Sequence, residues 1–425
     1  MIGLGYVGLP VACRFAEAGF DLVGVEANQE RLRDIQVGSL PFSGREPGLA
    51  ELLSTVLAAK RFCVTSDYGL LTGCDVILIC VETPVDAENI PQYQALRGAL
   101  TGLGQVLKPG VLVIIESTLA PGTMENLVLP LLEQSSGSKV NEGFYLGVCP
   151  ERVMPGKLLA NLRSVARVVG GMTPQTAEMI ALLYRAIVDA GIDTTDCVTA
   201  ELVKTVENAY RDVQIAFANE VALICAAVGG DVWIVRELVN KSPGRHMLLP
   251  GAGVGGHCIP KDPWLLAYAV HGKDVSLNLI PAARSVNNSM PEKVLELAKE
   301  ALAARGVELP GAKILILGYA YLEESDDTRN SPSESLVRHL VELGATPVIH
   351  DPFVQAYRGD LFEMAAGCDA AVLMVRHQEY QGLDLGALRA SLRTPILVDG
   401  RGVFTPERAR SGGLDYWGIG VGRKP

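Results

Sequence analysis

The 425-residue sequence contains no run of 18 apolar residues and no N-terminal segment with the basic and apolar regions of a secretory signal. These absences predict a cytoplasmic protein without a membrane span. Basic runs are also missing, and a formal net charge of −11 argues against nucleic acid as a partner. The nine cysteines are scattered without a CxxC pair, so we expect free thiols and neither a disulfide framework nor a metal site.

The composition is that of a well-packed globular protein, with 48% hydrophobic and 20% charged residues. A chain of this length exceeds a single hydrophobic core and predicts two or three domains. Apolar strand patterns alternate with helical patterns in the N-terminal and C-terminal parts, which is typical of α/β domains with parallel sheets.

A glycine-rich fingerprint opens the chain. Gly3, Gly5 and Gly8 form a G-x-G-x-x-G motif, followed by a helical segment and a strand that ends at Glu26. Such glycines let a pyrophosphate approach the helix N-terminus, and an acid about 20 residues further on binds the adenosine ribose. Because an acid there repels a 2′-phosphate, the motif predicts NAD rather than NADP. Only two residues precede the motif, so we expect a first strand cut to a stub and a gene start that lies upstream.

Polar residues follow three predicted strands of the N-terminal part. These apolar strands lie at 74–81, 111–115 and 145–148. Thr83 and Thr118 follow the first two, at carboxyl ends where open α/β sheets bind ligands, so they could contact the nicotinamide half of the cofactor. Helix N-capping is the alternative for the residues around Thr118. Glu151 and Arg152 follow the third strand, where they could face a substrate or pair with each other.

The longest helical pattern spans 199–228 and contains no proline. Lys204, Asn208 and Arg211 fall on one of its faces. Because the rest is largely apolar, we expect a helix surrounded by protein, a spine between domains and a dimer surface. A lysine near a thiol could stabilise an oxyanion or move protons, with Asn208 donating a hydrogen bond. A solvated polar face is the alternative.

The segment 251–262 has four glycines in its first six positions and carries Cys258, with Lys261 and Asp262 close behind. A thiol on a glycine-rich loop beside a cation and a carboxylate suits covalent catalysis, because the thiolate is the nucleophile and positive charge favours it. The alternative is a structural cysteine in a turn.

A second α/β unit follows a change of composition at 298–310, where a helix rich in Ala, Glu and Lys is followed by Gly306, Pro310 and Gly311. We interpret this segment as a linker. Its predicted strands lie at 313–318, 346–350, 370–375 and 395–398, with a helix at 333–343. The unit lacks the glycine fingerprint, so we expect it to bind something other than NAD. Arg329 and Arg401 lie at strand ends, where they could bind phosphate or form surface salt bridges.

With these pieces in place, the whole chain resembles the UDP-glucose/GDP-mannose dehydrogenase family. The shared motifs are Gly3-Leu4-Gly5-Tyr6-Val7-Gly8-Leu9-Pro10, Glu116-Ser117-Thr118, Gly255-Gly256-His257-Cys258 and Asp326-Asp327-Thr328-Arg329. The segment 149–156 is similar to the family branch that acts on UDP-N-acetylmannosamine. The sequence departs from the family pattern at Glu82, at Leu322 and at 242–244.

The resemblance implies an α/β fold with two Rossmann-like, doubly wound parallel-sheet domains joined by a central helical domain. The implied domains are 1–190 for NAD, 191–300 for dimerisation and catalysis, and 301–425 for the UDP part of a nucleotide sugar. The resemblance also implies NAD as the cofactor, a nucleotide-sugar substrate and a homodimer.

The implied reaction is a four-electron oxidation of a sugar C6 alcohol to a carboxylate, best matched by UDP-N-acetyl-D-mannosamine, through a thiohemiacetal and a thioester on the cysteine. Catalytic roles are implied for Cys258, Lys204, Asn208, Asp262, Thr118 and Glu151. Cofactor contacts are implied for Gly3, Gly5, Tyr6, Val7, Gly8, Glu26, Arg31, Thr83 and Thr118. Substrate contacts are implied for Arg152, Val153, Lys204, Asn208, Arg211, Gly255, Tyr321, Arg329 and Arg401.

Three other interpretations stay open. The same chemistry could act on UDP-glucose, UDP-N-acetylglucosamine or GDP-mannose. A two-electron hydroxyacid dehydrogenase has a similar layout and needs no thiol. A non-catalytic NAD-binding protein is the third, suggested by the shortened first strand.

Overall fold

The computed structural model describes residues 1–42 and 46–422. The chain folds as two compact units. Unit 1 comprises Met1–Asn208 and Lys261–Val275, and unit 2 comprises Ala209–Pro260 and the described residues from Ser276 on. Within the described ranges, no helix combines the length and the apolar character needed to cross a bilayer.

Twelve strands alternate with helices along the described chain. The strands are β1 (Leu22–Val25), β2 (Phe62–Thr65), β3 (Val76–Ile79), β4 (Val111–Ile115), β5 (Phe144–Val148), β6 (Arg167–Gly171), β7 (Ile192–Asp196), β8 (Lys313–Leu317), β9 (Thr346–His350), β10 (Ala370–Leu373), β11 (Ile396–Asp399) and β12 (Asp415–Gly418). The first seven belong to unit 1 and the others to unit 2.

The helices connect these strands. They are α1 (Gly8–Glu17), α2 (Gln29–Gln36), α3 (Leu49–Ala58), α4 (Gln94–Gly104), α5 (Leu129–Ser136), α6 (Leu158–Ser164), α7 (Pro174–Tyr184), α8 (Cys197–Val228), α9 (Val232–Asn240), α10 (Asp262–Tyr268), α11 (Leu279–Ala303), α12 (Pro332–Glu342), α13 (Leu361–Ala365), α14 (Gln378–Gln381), α15 (Leu385–Ser391) and α16 (Pro406–Ser411). A π-helical turn at Met124–Val128 leads into α5.

Unit 1 is built on a sheet with the strand order β3-β4-β5-β6-β7, in which only the β5–β6 pair is antiparallel. β1 pairs in parallel with β2, and Ile2 bridges in parallel to Val25 of β1 and Ile79 of β3. As predicted, the strand before the glycine fingerprint is a stub. All five residues of β4 are buried, because apolar clusters cover both faces of the sheet.

Unit 2 contains a second sheet, with the strand order β12-β11-β10-β8-β9 and every pair parallel. Apolar clusters again cover both faces. The predicted strands lie within two residues of β8 to β11, so the second α/β unit is confirmed. β12 was not predicted, because its segment mixes polar and aromatic residues.

The long helix was predicted to within two residues, since α8 spans Cys197–Val228. It is not surrounded by protein in the single chain, because several large apolar side chains on it are exposed. The helix expected at the start of 298–310 is confirmed, but the interpretation of that part as a linker is wrong up to Ala303. α11 runs to that residue and packs Ala298 and Leu302 into the core of unit 2.

Candidate active site

The glycine fingerprint forms the turn between the Ile2 bridge and α1. Gly3 has a φ of +88°, and a Cβ on it would collide with the carbonyl oxygen of Cys80. A Cβ on Gly8 would collide with the carbonyl oxygen of Gly3, whereas among the described residues no heavy atom other than those of the chain neighbours lies within 4 Å of the Cβ position of Gly5. α1 begins without a side-chain cap and without an acid in its first turn. The open space above Gly5 and the uncapped helix N-terminus fit the pyrophosphate of NAD.

Glu26 is buried directly after β1. Its carboxylate accepts hydrogen bonds from the backbone N–H groups of Leu4 at 3.0 Å and Asn28 at 2.9 Å, and Arg31 donates to it at 3.3 Å. The acid is therefore held against the glycine loop, at the place from which an adenosine ribose is bound. Within the loop, the Tyr6 hydroxyl bonds to Glu46, and Val7 stands immediately before α1.

Thr83 and Thr118 lie together at the carboxyl edge of the unit 1 sheet. The Thr83 hydroxyl donates to the carbonyl oxygen of Thr118 at 2.7 Å. Ser117 ties the same edge, because its hydroxyl donates to the Val81 carbonyl at 2.7 Å and accepts from the Val81 N–H at 2.9 Å. Neither Ser117 nor Thr118 caps a helix, and both threonines remain candidates to contact the nicotinamide.

Glu151 and Arg152 do not pair with each other through their side chains. The Glu151 carboxylate is buried against Arg167, with 2.6 Å between Oε2 and Nη1. The Arg152 guanidinium bonds to the carbonyl oxygen of Ala166 at 2.8 Å and to the Glu207 carboxylate. Val153 is half-buried against the core of unit 1. The two charged side chains of the turn after β5, Glu151 and Arg152, are therefore each held by an oppositely charged side chain.

Glu116 is the buried carboxyl at the end of β4, with 1% of its surface exposed. It accepts a hydrogen bond from the Tyr184 hydroxyl. Burial raises the pKa of Glu116 to about 7, and the neighbouring Glu151 carboxylate contributes to the rise while Arg167 and Tyr184 oppose it. The group therefore takes up a proton near neutral pH, directly beside Ser117 and Thr118.

This raised pKa makes stability depend on pH. The pKa of Glu116 is about 7 in the folded protein and 4.5 in the unfolded chain, so the folded protein binds the proton more tightly. The contribution of Glu116 to stability is therefore greatest below about pH 4.5 and is lost as the pH rises to about 7. The loss is on the order of 3 kcal/mol. We expect Glu116→Gln, which keeps an acceptor for Tyr184, to remove that loss. Urea unfolding midpoints of both proteins, measured from pH 4.5 to 7.5, check this prediction. The same dependence of the midpoint on pH in wild type and variant would contradict it.

Four polar residues of unit 1 lie on α8 or at the start of α10, namely Lys204, Asn208, Lys261 and Asp262. Lys204 is only 9% exposed, and within the described part of the chain its ammonium has no hydrogen-bond or ion-pair partner. Asn208, one turn further along α8, donates from Nδ2 to Asp262 Oδ2 at 2.6 Å. Lys261 pairs with the other carboxylate oxygen at 2.9 Å. A buried cation without a partner is costly unless a ligand supplies negative charge or an acceptor.

Cys258 lies exposed on the glycine-rich loop of unit 2. A Cβ on Gly255 would lie 2.6 Å from Tyr321 Cβ and 2.7 Å from the Asn330 carbonyl oxygen, so only glycine fits. The N–H of Gly256 donates to the Arg329 carbonyl at 2.8 Å, and Asn330 Nδ2 donates to the Gly256 carbonyl at 3.0 Å. The thiol is thus presented by a loop packed against the segment that follows β8.

The predicted phosphate ligands of unit 2 differ in their partners. Arg329 pairs with Asp327 at the surface, and that carboxylate raises the pKa of the guanidinium. Arg401 donates from Nε to the Met374 carbonyl at 2.7 Å and from Nη2 to the Gly253 carbonyl at 3.2 Å, so it braces the glycine loop. Burial raises the pKa of Tyr321 to about 12. Arg211 is exposed on α8.

The predicted residues therefore form two groups, one in each unit. Unit 1 holds Gly3, Gly5, Tyr6, Val7, Gly8, Glu26, Arg31, Thr83, Thr118, Glu151, Arg152, Val153, Lys204, Asn208 and Asp262. Unit 2 holds Arg211, Gly255, Cys258, Tyr321, Arg329 and Arg401.

Sequence reasoning missed three residues that brace these groups. Arg167 and Tyr184 form the buried cluster with Glu151 and Glu116. A charged residue at the head of the apolar run 168–171 was the available signal for Arg167. Asn330 carries a φ of +50° and fastens the cysteine loop, and its place just before a Ser-Pro helix start was the signal there.

Three family models match successive parts of the chain. They describe the NAD binding domain of the UDP-glucose/GDP-mannose dehydrogenase family at residues 1–188, its central domain at 198–289 and its UDP binding domain at 315–406. The last of these models describes a UDP binding domain, which agrees with the expectation that the second α/β unit binds something other than NAD.

Individual relatives match over nearly the whole chain. A UDP-N-acetyl-D-mannosamine dehydrogenase of Pyrococcus horikoshii is 37% identical, covering 99% of both chains. A solved UDP-D-ManNAc dehydrogenase from the same organism superposes with a TM-score of 0.93, covering 99% of this chain and 98% of that one. An NDP-N-acetyl-D-galactosaminuronic acid dehydrogenase of Ralstonia solanacearum is 34% identical, covering 96% of each chain.

Proposed function

The chain belongs to the UDP-glucose/GDP-mannose dehydrogenase family, and from that premise we propose that it oxidises UDP-N-acetyl-D-mannosamine to UDP-N-acetyl-D-mannosaminuronate. The enzyme is an NAD-dependent oxidoreductase that acts on a nucleotide sugar. The proposed reaction converts the C6 alcohol and one water into a carboxylate, with two hydrides and three protons released. NAD, when bound, accepts one hydride in each of the two oxidations.

The observation that carries this proposal is the Lys204–Asn208–Asp262 group of unit 1. Oxidation of an alcohol needs a group that takes the hydroxyl proton and donors that stabilise an oxyanion. Lys204 offers a buried amino group with no other described partner, which takes the hydroxyl proton as the neutral amine, and Asn208 offers an amide whose orientation is fixed by a 2.6 Å hydrogen bond to Asp262. We assign the proton to Lys204, oxyanion stabilisation to Asn208, and water positioning to Asp262 with Thr118.

Cys258 is the proposed nucleophile. Its thiolate attacks the C6 aldehyde left by the first oxidation and forms a C–S bond, giving a thiohemiacetal. Loss of a second hydride from that carbon leaves a thioester. Water then attacks the thioester carbonyl, the C–S bond breaks, and the thiolate is regenerated with the carboxylate. The exposed loop position of Cys258 is compatible with this chemistry.

The UDP part of the substrate is assigned mainly to unit 2. The proposed contacts lie in or next to the glycine-rich loop. Gly255 is part of the loop, Tyr321 and Arg329 belong to the segment after β8 that packs on it, and Arg401 donates to its Gly253 carbonyl. Arg329 keeps an exposed guanidinium, and a phosphate would replace Asp327 as its partner. Arg152, Val153 and Arg211 are the remaining proposed contacts. The matching ranges support a division into 1–190, 191–300 and 301–425.

The sugar is tested with a substrate panel. We expect kcat/KM for UDP-N-acetyl-D-mannosamine to exceed that for UDP-glucose, UDP-N-acetylglucosamine and GDP-mannose by about tenfold or more. A site built for the N-acetyl group of this sugar leaves polar atoms unpaired when the group is absent or, as in UDP-N-acetylglucosamine, attached with the opposite configuration at C2. NADH absorbance at saturating NAD measures each rate. A higher kcat/KM for another sugar in the panel would overturn the assignment while leaving the reaction type intact.

A homodimer through α8 is also proposed. The nine cysteines all lie within the described residues and form no disulfide bond there, which supports a cytoplasmic location. Tyr210, Phe217 and Ile224 recur every seven residues on α8 and are exposed. An exposed apolar stripe at heptad spacing suits a second helix. We expect Phe217→Glu to change the mass in solution from about twice 45.3 kDa to 45.3 kDa, measured by light scattering. Val341→Glu, an exposed apolar residue on α12, is the control. A monomeric wild type would contradict the proposal.

A further inference from the structure

The register of β5 and β6 brings opposite charges together at the edge of the unit 1 sheet. In this antiparallel pair Val148 stands opposite Gly170. Glu151 follows Val148 by three residues and Arg167 precedes Gly170 by three, so the same register sets the two opposite each other. They form an ion pair of 2.6 Å in which both side chains are buried.

The ion pair is one arm of a reciprocal clamp. Glu151 also accepts from the backbone N–H of Arg152 at 2.6 Å through its other oxygen. The Arg152 side chain reaches back to the carbonyl oxygen of Ala166 at 2.8 Å. Residues 151–152 and 166–167 are thus joined by contacts in both directions, which tie the turn after β5 to the start of β6.

Arg167 is committed to this contact. Its guanidinium carbon lies 5.5 Å from the centroid of the Tyr184 ring, and its Nε and Nη2 atoms are buried with no hydrogen-bond partner among the residues that the structure describes. A buried pair with unpartnered donors gains little net stability, because desolvation offsets the Coulomb attraction. The arrangement therefore fixes a geometry more than it stabilises the fold.

We propose that Arg167 is a positioning residue for the nucleotide sugar, which holds Glu151 and through it the turn that presents Arg152 and Val153. This inference rests on the proposed function of the same site. The groups facing the Glu151–Arg167 pair are Glu116 after β4, Tyr184 on α7, Cys80 after β3, and Cys149 and Arg152 on the turn itself.

Steady-state kinetics of four variants test the proposal: Arg167→Met, Arg167→Lys, Glu151→Gln and the Met/Gln double variant. We expect Arg167→Met to raise KM for UDP-N-acetyl-D-mannosamine about tenfold or more, with KM for NAD changed less than about twofold. Arg167→Lys should recover part of the loss, because it keeps the cation. The double variant should be no worse than Glu151→Gln, since Arg167 then has no carboxylate to hold.

Additive effects in the double variant, or equal rises in both KM values, would overturn the proposal. Arg393→Met, which breaks the ion pair with Asp369 in unit 2, is the matched control and should leave KM for the sugar unchanged. If Arg167→Met does not fold, the Lys variant and Glu151→Gln decide. In that case, a Glu151→Gln variant whose KM for the nucleotide sugar equals the wild-type value would contradict the proposal.

A second readout needs no substrate. Arg167→Met leaves Glu116 and Glu151 buried without a cation, so its thermal stability should fall more steeply with rising pH than that of the wild type. Adding Glu151→Gln should restore the wild-type slope, which a simple packing defect would not do. Failure of the wild type to oxidise any nucleotide sugar would contradict only the proposed function. An unchanged pH dependence of thermal stability in Arg167→Met would contradict only the proposed role of Arg167.

Discussion

Replacing Cys258 by alanine is expected to lower NADH formation from the nucleotide sugar by about 10³-fold or more. Without the thiol, the aldehyde from the first oxidation cannot become a thiohemiacetal. The second oxidation then has no activated C–H bond to act on. Oxidation of an alcohol to an aldehyde alone is unfavourable at neutral pH, so little NADH accumulates. Stopped-flow and steady-state NADH absorbance on the purified variant measure both phases.

Cys63→Ala is the matched control for the missing thiol, because Cys63 is also an exposed cysteine and lies on β2 of unit 1. It should retain wild-type kinetics. A Cys258→Ala variant that still completes the oxidation to the carboxylate would remove the covalent route. Wild-type kinetics in Cys258→Ala with a product oxidised by only two electrons would instead favour a two-electron dehydrogenase, which needs no nucleophile.

Replacing Lys204 by methionine is the second change with a large expected effect. We expect kcat to fall by about 10²- to 10³-fold, because the reacting hydroxyl loses its proton acceptor. We also expect the thermal midpoint to stay the same or to rise. Lys204 is 9% exposed and its side-chain nitrogen has no described partner, so an apolar side chain of similar length removes a desolvation cost without breaking a contact.

Opposite signs in activity and stability distinguish this role from a structural one. Lys139→Met, which removes an exposed lysine paired with Glu133, is the control and should change neither quantity much. A Lys204→Met variant that loses stability along with activity would mean that the lysine holds the fold. A variant that keeps its kcat would remove Lys204 from the chemistry.

Elements with strong local patterns were predictable from the sequence. β4 was predicted at its observed bounds, because five apolar residues buried on both faces stand between polar segments. α8 was predicted nearly at its bounds, because no proline or glycine interrupts its helical periodicity. The glycine fingerprint was also predictable from local sequence. Gly3 and Gly8 each lie so close to a backbone carbonyl that no side chain fits at either position.

Elements that depend on distant contacts were not predictable. β7 reads Ile-Asp-Thr-Thr-Asp, and only its pairing with β6 makes it a strand. The ion pair of Glu151 with Arg167 depends on an antiparallel register between two strands, which no local pattern encodes. Pro291 likewise obscured α11, which passes through it because the flanking turns are packed into the core of unit 2.

The candidate site follows the same division. Cys258, Lys204 and Asn208 could be named from their motifs, because glycine density and helical spacing are local properties. The bond from Asn208 to Asp262 joins residues 54 positions apart. The state of Glu116 depends on burial, which sets its pKa at about 7. Neither property can be read from neighbours in the chain.

The most direct test of the account is the number of NADH formed per UDP-N-acetyl-D-mannosamine consumed, with the product identified by mass spectrometry. The thioester route on Cys258 predicts about two NADH for each sugar and a uronate product with no free aldehyde. A ratio of about one, with an aldehyde or keto product, would contradict the central claim that this enzyme carries out a four-electron oxidation.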